Sequence, residues 1–432
     1  MAVTDSLSEK SHETEPRDPS AAEANNTPET NKLSPAPDGG LQAWLVAGGA
    51  AFIFFSALGY VNSFGVFQQY YMTHQLSDRP ADSIAWIGSV SGFLQLGMGG
   101  VAGPLFDRYG ATGITRPAAL GLVVAIMLVS LCKEFWQFIL AQGILTGAVM
   151  GFLIFPAMGS VSQYFDKKRG AALGLVIAGS SVGGVVFPIA LSKMLHETSL
   201  GFGWTVRIMG FVMLPCLTFS CLTVKPRLPP RKTSFFITRA FKEPFFLILT
   251  LGLFFGFMGM FTPLFFIPAY AVSTGVDPTL ASYLVAILNA GSTFGRIIPG
   301  ILADKFGRLN VLAAAGISTG IVACCLSTVT STGGLVVYSV AIGFTSGAIL
   351  SGGSTAFSMT TKNPQELGAY MGMGMALSSI AALIGPPISG ALVARYEGYL
   401  ELSLFSGISC LASGFIVLIV KAITPEGIFG RT

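Results

Sequence analysis

Long apolar stretches constrain the fold of this chain more than any other feature of its sequence. Twelve of them approach or exceed the roughly 20 residues that a membrane-spanning helix needs. They cover residues 42–72, 83–105, 112–132, 136–163, 171–195, 204–224, 245–272, 280–302, 310–329, 334–359, 368–394 and 400–421. Charged residues make up only 11% of the chain, against about 25% in a soluble domain. The sequence therefore predicts an all-α integral membrane protein with twelve transmembrane helices.

A polar break at residues 225–243 divides the twelve spans into two groups of six. We therefore predict an N-terminal six-helix half at 38–224, a linker at 225–243 and a C-terminal six-helix half at 244–421. A short tail, 422–432, follows. Residues 1–37 are rich in Glu, Ser, Pro, Asn and Thr and contain no apolar run, which is typical of a disordered tail. They lack the basic and then apolar pattern of a signal peptide.

The basic residues predict how the chain is oriented in the membrane. With spans alternating in direction, nineteen Lys and Arg residues fall on the face that carries both termini and the 225–243 linker. Five fall on the opposite face, and Arg296 lies within a span. Because basic residues concentrate in cytoplasmic loops, we expect both termini and the linker to be cytoplasmic. We expect a multi-pass protein of the plasma membrane.

One short phrase occurs twice, near the end of the second span of each half. Residues 103–110 read GPLFDRYG and residues 300–307 read GILADKFG, with matched positions 197 residues apart. A second repeat, in spans five and eleven, has its matched positions 198 residues apart. It pairs Ser180, Ser181 and Pro188 with Ser378, Ser379 and Pro386. The repeats indicate two halves of similar structure.

The glycines, acid and base of the repeated phrase could close a passage between the two halves at the cytoplasmic face. Its glycines allow neighbouring helices to approach closely, and an acid at the start of the next helix is stabilised by the positive end of the helix dipole. The adjacent base can reach carbonyls or acids of the facing half. We therefore predict Asp107, Arg108, Asp304 and Lys305 as gating residues that hold the cytoplasmic mouth shut.

Arg296 is the one ionised side chain well inside a predicted span. It lies about eight residues, or roughly 12 Å, from the cytoplasmic end. All 21 acids lie in the tail, in loops or at span ends, so no carboxylate is expected at its depth. A buried cation needs a partner or a wet cavity, and an anionic substrate would supply one. The alternative is an arginine that extends towards the interface and caps helix carbonyls.

Polar residues near Arg296 fit the wall of a cavity. Asn289 and Ser292 precede it by seven and four residues and share its helix face, while Tyr60 and Asn62 lie in the middle of span one. We predict these five residues as substrate-binding. Each polar neighbour could instead make a hydrogen bond between helices.

Several segments together resemble the major facilitator superfamily, and within it the fungal branch of the monocarboxylate porter family. They are PDGGLQAW at 37–44, YVNSFGVF at 60–67, YFDKKRGAALG at 164–174, GSTFGRIIPGILAD at 291–304 and GPPISGAL at 385–392. The resemblance covers the chain from residue 37 onwards. It implies two six-helix halves related by a parallel repeat, with spans one, four, seven and ten lining a central path.

The resemblance carries over only in part to the residues that bind substrate. Arg296 matches the arginine that engages the substrate carboxylate in the animal lactate carriers. Those carriers have an aspartate where this chain has Ser292, and a lysine where it has Asn62. The resemblance therefore implies a transporter more firmly than it implies lactate or pyruvate as the substrate.

The function that these observations favour is secondary active or facilitative transport of an organic anion or amphipathic metabolite by alternating access. We expect efflux of a secondary metabolite; import of a small monocarboxylate and a non-transporting nutrient sensor remain alternatives. An enzyme is not expected, because the predicted spans contain no histidine, and no acid away from their ends, for general acid–base chemistry. There is no phosphate-binding loop. We predict no cofactor, metal or nucleic-acid partner; the partners are a small molecule and the lipid bilayer.

Overall fold

A computed structural model describes residues 36–79, 81–229, 237–361 and 363–424, together with residues 427 and 430. The predicted tail up to residue 35 and linker residues 230–236 lie outside the described residues, and the C-terminal tail is described only in part. The tail and linker predictions therefore stay predictions over those positions.

The described residues contain twelve helices that are long and apolar enough to cross a membrane. We number them span 1 to span 12 in chain order. They are Leu41–Thr73, Ser83–Tyr109, Thr112–Val129, Phe135–Tyr164, Arg169–Leu195, Gly201–Thr223, Pro244–Ser273, Tyr283–Phe306, Arg308–Thr328, Thr332–Phe357, Leu367–Tyr396 and Leu400–Ile423. The all-α, twelve-span prediction is confirmed.

Three spans are interrupted well inside their length, whereas span 9 changes to a 3-10 turn, Leu326–Thr328, only at its end. Span 1 consists of helices Leu41–Asn62 and Phe64–Thr73, and the Ser63 hydroxyl at the break donates to the Gly59 carbonyl (3.1 Å). Span 2 consists of Ala81–Gly97 and Gly99–Tyr109. Span 4 contains a π-helical segment, Ile139–Leu145, a type of irregularity that is frequent at functional sites.

Small residues let the spans pack closely. In span 4, a Cβ atom added to Gly147 would lie 2.6 Å from the Ser91 carbonyl oxygen of span 2, and one added to Gly151 would lie 2.9 Å from that of Gln95. Gly143 lies against the same span. The glycines at four-residue spacing in span 4 therefore pack helices together, as small residues do within membranes.

Two pairs of spans hold the halves together. Span 5 packs along span 8, and span 2 packs along span 11. The two pairs occupy equivalent places in the repeat, because spans 2 and 5 of one half correspond to spans 8 and 11 of the other. Large apolar side chains cover the outside of the bundle, including Leu120, Phe294 and Val337, which are 62–69% exposed. This lipid-facing surface explains the low charge content of the chain.

Candidate functional site

Asp107, at the end of span 2, lies against the start of span 11 in the other half. Its two carboxylate oxygens accept hydrogen bonds from the backbone N–H groups of Gly368 (3.1 Å) and Ala369 (2.7 Å). These donors are unsatisfied within their own helix, and the positive end of the helix dipole favours a negative charge there. Asp107 is 5% exposed, so the contact is shielded from solvent.

Asp304, at the end of span 8, makes the equivalent contact with span 5. Its oxygens accept from the backbone N–H groups of Gly170 and Ala171, both at 2.8 Å. We call the end of the bundle that carries Asp107 and Asp304 the aspartate end. At this end the two halves are joined twice, each time by an acid of one half and a helix start of the other.

This geometry corrects one expectation from the sequence. Each acid of the repeated phrase was expected to interact with the start of the helix that follows it in the chain. Each instead caps a helix of the facing half, 261 residues away for Asp107 and Gly368 and 134 residues away for Asp304 and Gly170. The acids therefore connect the halves directly.

Glycines of the phrase bring the backbones together at both contacts. A Cβ atom added to Gly103 would lie 2.0 Å from the Gly368 carbonyl oxygen, and one added to Gly300 would lie 2.5 Å from that of Gly170. No side chain fits between helices at these distances. The glycines allow the carboxylates to reach the helix starts.

The bases next to the acids do not contact the facing half. Arg108 and Lys305 are exposed, and the Arg108 guanidinium lies over the neighbouring Tyr109 ring, 5.7 Å from its centroid. Among the described residues, neither makes a hydrogen bond or ion pair across the halves. Their predicted reach across the halves is not observed in this conformation, because both side chains point to solvent.

Two other arginines make the cross-half bonds around Asp304. Arg169 donates from Nη1 to the carbonyl and hydroxyl oxygens of Ser358 in the C-terminal half (3.3 and 3.2 Å). Arg308 donates from Nη2 to the Asp166 carbonyl oxygen in the N-terminal half, and its Nε lies 4.0 Å from the Asp304 carboxylate. Sequence reasoning missed both residues. The available signal for Arg308 was its position one helical turn after Asp304.

Arg296 also bridges the two halves, deeper in the bundle. Its Nη1 donates to the Ile177 carbonyl oxygen (2.8 Å) and to the Ser180 hydroxyl, both in span 5. The side chain is 6% exposed, and its Nε has no hydrogen-bond partner among the described residues. Within that part of the chain Arg296 forms no ion pair. In this conformation it takes the alternative role of binding a helix carbonyl.

Two of the other predicted binding residues, Asn62 and Asn289, meet at the interface between the halves near Ser180, the partner of Arg296, and Ser292 lies one helical turn before Arg296. Asn62 donates to the Ser180 carbonyl oxygen (3.4 Å). A Cβ atom added to Gly184 of span 5 would lie 2.6 Å from Asn62 Nδ2 and 3.0 Å from Asn289 Oδ1, so the two amides converge there. Ser292, on the same helix face, is 2% exposed and packs against Gly347 of span 10. We call this group the polar cluster: Asn62, Ser180, Asn289, Ser292 and Arg296.

Tyr60 lies elsewhere. It is two residues before Asn62, and so about 200° around the helix. Its hydroxyl accepts from Gln142 Nε2 (3.3 Å), while Tyr71 donates to Gln142 Oε1 (2.7 Å). The Tyr60 ring packs 5.4 Å from that of Phe67. Tyr60 is therefore part of the aromatic core of the N-terminal half and is not joined to the polar cluster.

Ser180 is the cluster residue that sequence reasoning did not assign to a site. Its hydroxyl donates to the Ile177 carbonyl (2.8 Å) and accepts from Arg296. The one sequence feature that distinguished Ser180 was its match to Ser378 in the internal repeat. A serine hydroxyl within an apolar helix is common, so the sequence alone offered no reason to pair it with Arg296.

The linker contacts the C-terminal half at the aspartate end. Arg239 donates to Glu366, just before span 11. Tyr370, in the first turn of that span, donates to Glu243 (2.7 Å). A hydrogen bond with the Tyr370 hydroxyl, and next the charge of Glu366, raise the pKa of Arg239 above its ordinary value. These contacts therefore stabilise the charged form of Arg239.

Two sets of six spans, joined at one end by contacts between the sets, are the architecture of a secondary membrane transporter. The chain belongs to the Major Facilitator Superfamily, whose family model matches residues 49–298 and 249–428. It is a membrane transporter and not an enzyme.

Two similar proteins with named activities come from fungi. The chain is 48% identical to the aspyridones efflux protein of Emericella nidulans, over 93% of this chain and 82% of that protein. It is 40% identical to the agnestins efflux protein of Paecilomyces divaricatus, over 96% and 95% of the two chains.

Solved structures share the fold at low identity. The E. coli fucose–proton symporter aligns with a TM-score of 0.67 and 13% identity, over 87% of this chain and 98% of that one. The human organic anion transporter MFSD10 aligns with a TM-score of 0.69 and 14% identity, over 88% and 100%. These likenesses bear on the fold alone.

Proposed function

We propose that this transporter exports an anionic or amphipathic secondary metabolite across the plasma membrane. The observation that carries the proposal is the similarity, over more than nine-tenths of this chain, to two proteins named as efflux proteins, one for aspyridones and one for agnestins. We place the chain in the monocarboxylate porter branch because of its PDGGLQAW segment and the position of Arg296.

The aspartate end is the cytoplasmic end in this proposal. Lys167 and Lys168 precede span 5 there and Arg169 begins it, and the basic linker and both termini lie on the same side of the predicted topology. A concentration of basic residues is typical of cytoplasmic loops. The described conformation is then closed towards the cytoplasm.

Transport requires the halves to rock about the central site. Opening towards the cytoplasm would separate span 5 from span 8 and span 2 from span 11, and so break the bonds of Asp107 and Asp304. We propose these two acids as gating residues, whose contacts favour the closed state without touching the substrate. Arg108 and Lys305 remain candidate gating residues only in the open state, where the groups around them differ.

Arg296 gives the closed and open states different affinities for an anionic substrate. In the closed state its guanidinium is occupied by Ile177 and Ser180 of the opposite half. When span 5 moves away, Arg296 loses these partners and can bind an anionic group that enters from the cytoplasm. On closure, Ser180 and the Ile177 carbonyl compete with the substrate for the guanidinium. This competition weakens substrate binding in the state from which an exporter releases its cargo.

Two measurements test the proposal in sequence. Metabolites inside and outside cells with and without the gene are compared; the cargo should accumulate inside when the gene is absent. Flux of that compound into proteoliposomes is then measured. Uptake of a small monocarboxylate with no change in secreted metabolites would favour the importer, and absence of flux for either would favour the sensor.

The role of Arg296 is tested on the identified compound and on its amide, which lacks the charge. Because arginine offers a planar pair of donors that lysine does not reproduce, Arg296→Lys should weaken acid transport and Arg296→Gln should nearly abolish it. The amide should be much less affected. Arg207→Gln is the matched control, since Arg207 bonds to Ser130 and lies over Trp204 away from the cluster. Equal losses for acid and amide would contradict substrate binding by Arg296.

A further inference from the structure

The segment before span 1 is bound to the turn that precedes span 5. Asp38 Oδ1 accepts from the backbone N–H groups of Asp166 (2.6 Å) and Lys168 (3.3 Å). The Asp38 N–H donates to the Tyr164 carbonyl (3.0 Å). The Trp44 ring packs edge-on against Phe165, with centroids 5.0 Å apart. The PDGGLQAW segment therefore fixes the position of residues 164–168.

The backbone at Asp38 is shaped for this contact. Its φ is +53°, a left-handed conformation that Asp and Asn tolerate better than most residues. Gly40 follows with φ +88°. The chain reverses sharply here, which directs the Asp38 carboxylate at the turn while span 1 starts at Leu41.

Among the described residues, each cross-half bond around Asp304 starts or ends on the turn that Asp38 holds, or immediately after it. The Asp166 carbonyl accepts from Arg308, Arg169 reaches Ser358, and the next two N–H groups cap Asp304. Asp38 contacts none of the C-terminal partners itself. It acts through the position of the turn.

The other half repeats the arrangement with different residues. The linker segment before span 7 supplies Arg239 and Glu243, which bind Glu366 and Tyr370 around the start of span 11. The N–H groups of that start cap Asp107. In each half, the segment before the first span thus holds the start of the fifth span, where an acid of the facing half binds. The two halves hold this helix start with different residues. The arrangement itself, and not a shared sequence, is therefore what the gate requires.

We propose that Asp38 and the Arg239–Glu243 segment are positioning elements of the gate, which keep the starts of spans 5 and 11 aligned for capping by Asp304 and Asp107. Without them each helix start shifts relative to the facing half and the closed state is weakened. The segments flanking the halves thereby control the equilibrium between closed and open states at the aspartate end. The proposal goes beyond substrate transport and does not depend on the identity or direction of the cargo.

The test measures the distance between spin labels at Gly113 and Phe306 in the full-length protein in nanodiscs, with the six native cysteines replaced. Both sites are exposed at the aspartate end, one in each half. Asp38→Gly removes the acceptor and keeps the backbone conformation accessible; Asp38→Asn keeps both Oδ1 and that conformation. We expect Asp38→Gly to raise the ratio of open to closed populations about tenfold, because the displaced helix start weakens the two hydrogen bonds to Asp304 that exist only in the closed state, and Asp38→Asn by less than threefold.

The second segment provides a matched pair. Glu243→Gln retains an acceptor for the Tyr370 hydroxyl, and Glu243→Ala does not, so only the alanine variant should favour the open state. Equal behaviour of the Asn and Gly variants at position 38, or of the Gln and Ala variants at 243, would overturn the proposal. Wild-type distances in Asp38→Gly would do so as well.

Double-mutant cycles separate a positioning role from general destabilisation. Asp38→Gly and Asp304→Asn act on the same helix start, so their effects on the open-to-closed ratio should be clearly non-additive. Asp38→Gly and Asp107→Asn act on different starts and should add. Additive behaviour of the first pair would show that Asp38 does not work through the Asp304 contact, whatever the transported compound proves to be.

Discussion

Replacing Gly103 by alanine should open the aspartate end of the transporter. The added Cβ atom would lie 2.0 Å from the Gly368 carbonyl oxygen and 2.7 Å from its carbonyl carbon. Carbon and oxygen atoms in contact are ordinarily about 3.3 Å apart or more, so spans 2 and 11 would have to separate by about 1 Å. The atom it meets is backbone, which cannot rotate away as a side chain could.

The separation acts on the closed state in two ways. Overpacking of this kind typically costs about 1–3 kcal/mol, and the hydrogen bonds from Gly368 and Ala369 to Asp107 lengthen at the same time. We expect a total of about 2–3 kcal/mol, which corresponds to a roughly 30- to 150-fold rise in the open-to-closed ratio. The greater helix propensity of alanine acts equally on both states, because span 2 is helical in each, and so it cancels.

The assay is the label distance between positions 113 and 306 in purified protein, together with flux of the transported compound. Gly300→Ala should behave similarly, since its Cβ atom would lie 2.5 Å from the Gly170 carbonyl oxygen. Gly92→Ala is the control on the same span as Gly103, because nothing lies within 4 Å of its added Cβ atom. A folded Gly103→Ala variant with the wild-type distance distribution would refute the reasoning, as would an equal shift in the control.

Three further predictions follow from the same contacts. Asp107→Asn and Asp304→Asn should each lower transport and favour the open state in the distance measurement while leaving the amount of protein in the membrane unchanged; a change in substrate affinity alone would contradict a gating role. Ser180→Ala should tighten binding of the anionic cargo in the closed state by a few-fold, because the hydroxyl no longer competes for Arg296, and equilibrium binding to protein cross-linked closed at the aspartate end measures this; unchanged or weaker binding would argue against the exchange. Deletion of residues 1–30 should leave flux intact, as expected for a tail outside the transport path, and loss of flux in correctly located protein would reveal a role for the tail.

Much of the fold could be read from the sequence because its causes are local. A helix in lipid must satisfy its own backbone hydrogen bonds and present apolar side chains, so each span is visible as a run of about 20 residues. Asp107 and Asp304 were found in the same way, since a charged phrase is conspicuous between apolar runs. Arg296 was identified by its depth, and Asn289 and Ser292 by helical spacing.

The tertiary structure decided which groups these residues meet. Nothing local to Asp304 indicates that it caps Gly170 rather than the helix that follows it, because that contact exists only when glycines bring spans 5 and 8 together. Helical rotation likewise separates Tyr60 from Asn62, although they are two residues apart in sequence. Contacts between residues more than a hundred positions apart depend on how rigid helices pack. Which helices become neighbours depends on the shapes of both surfaces, and the hydropathy of either one does not reveal it.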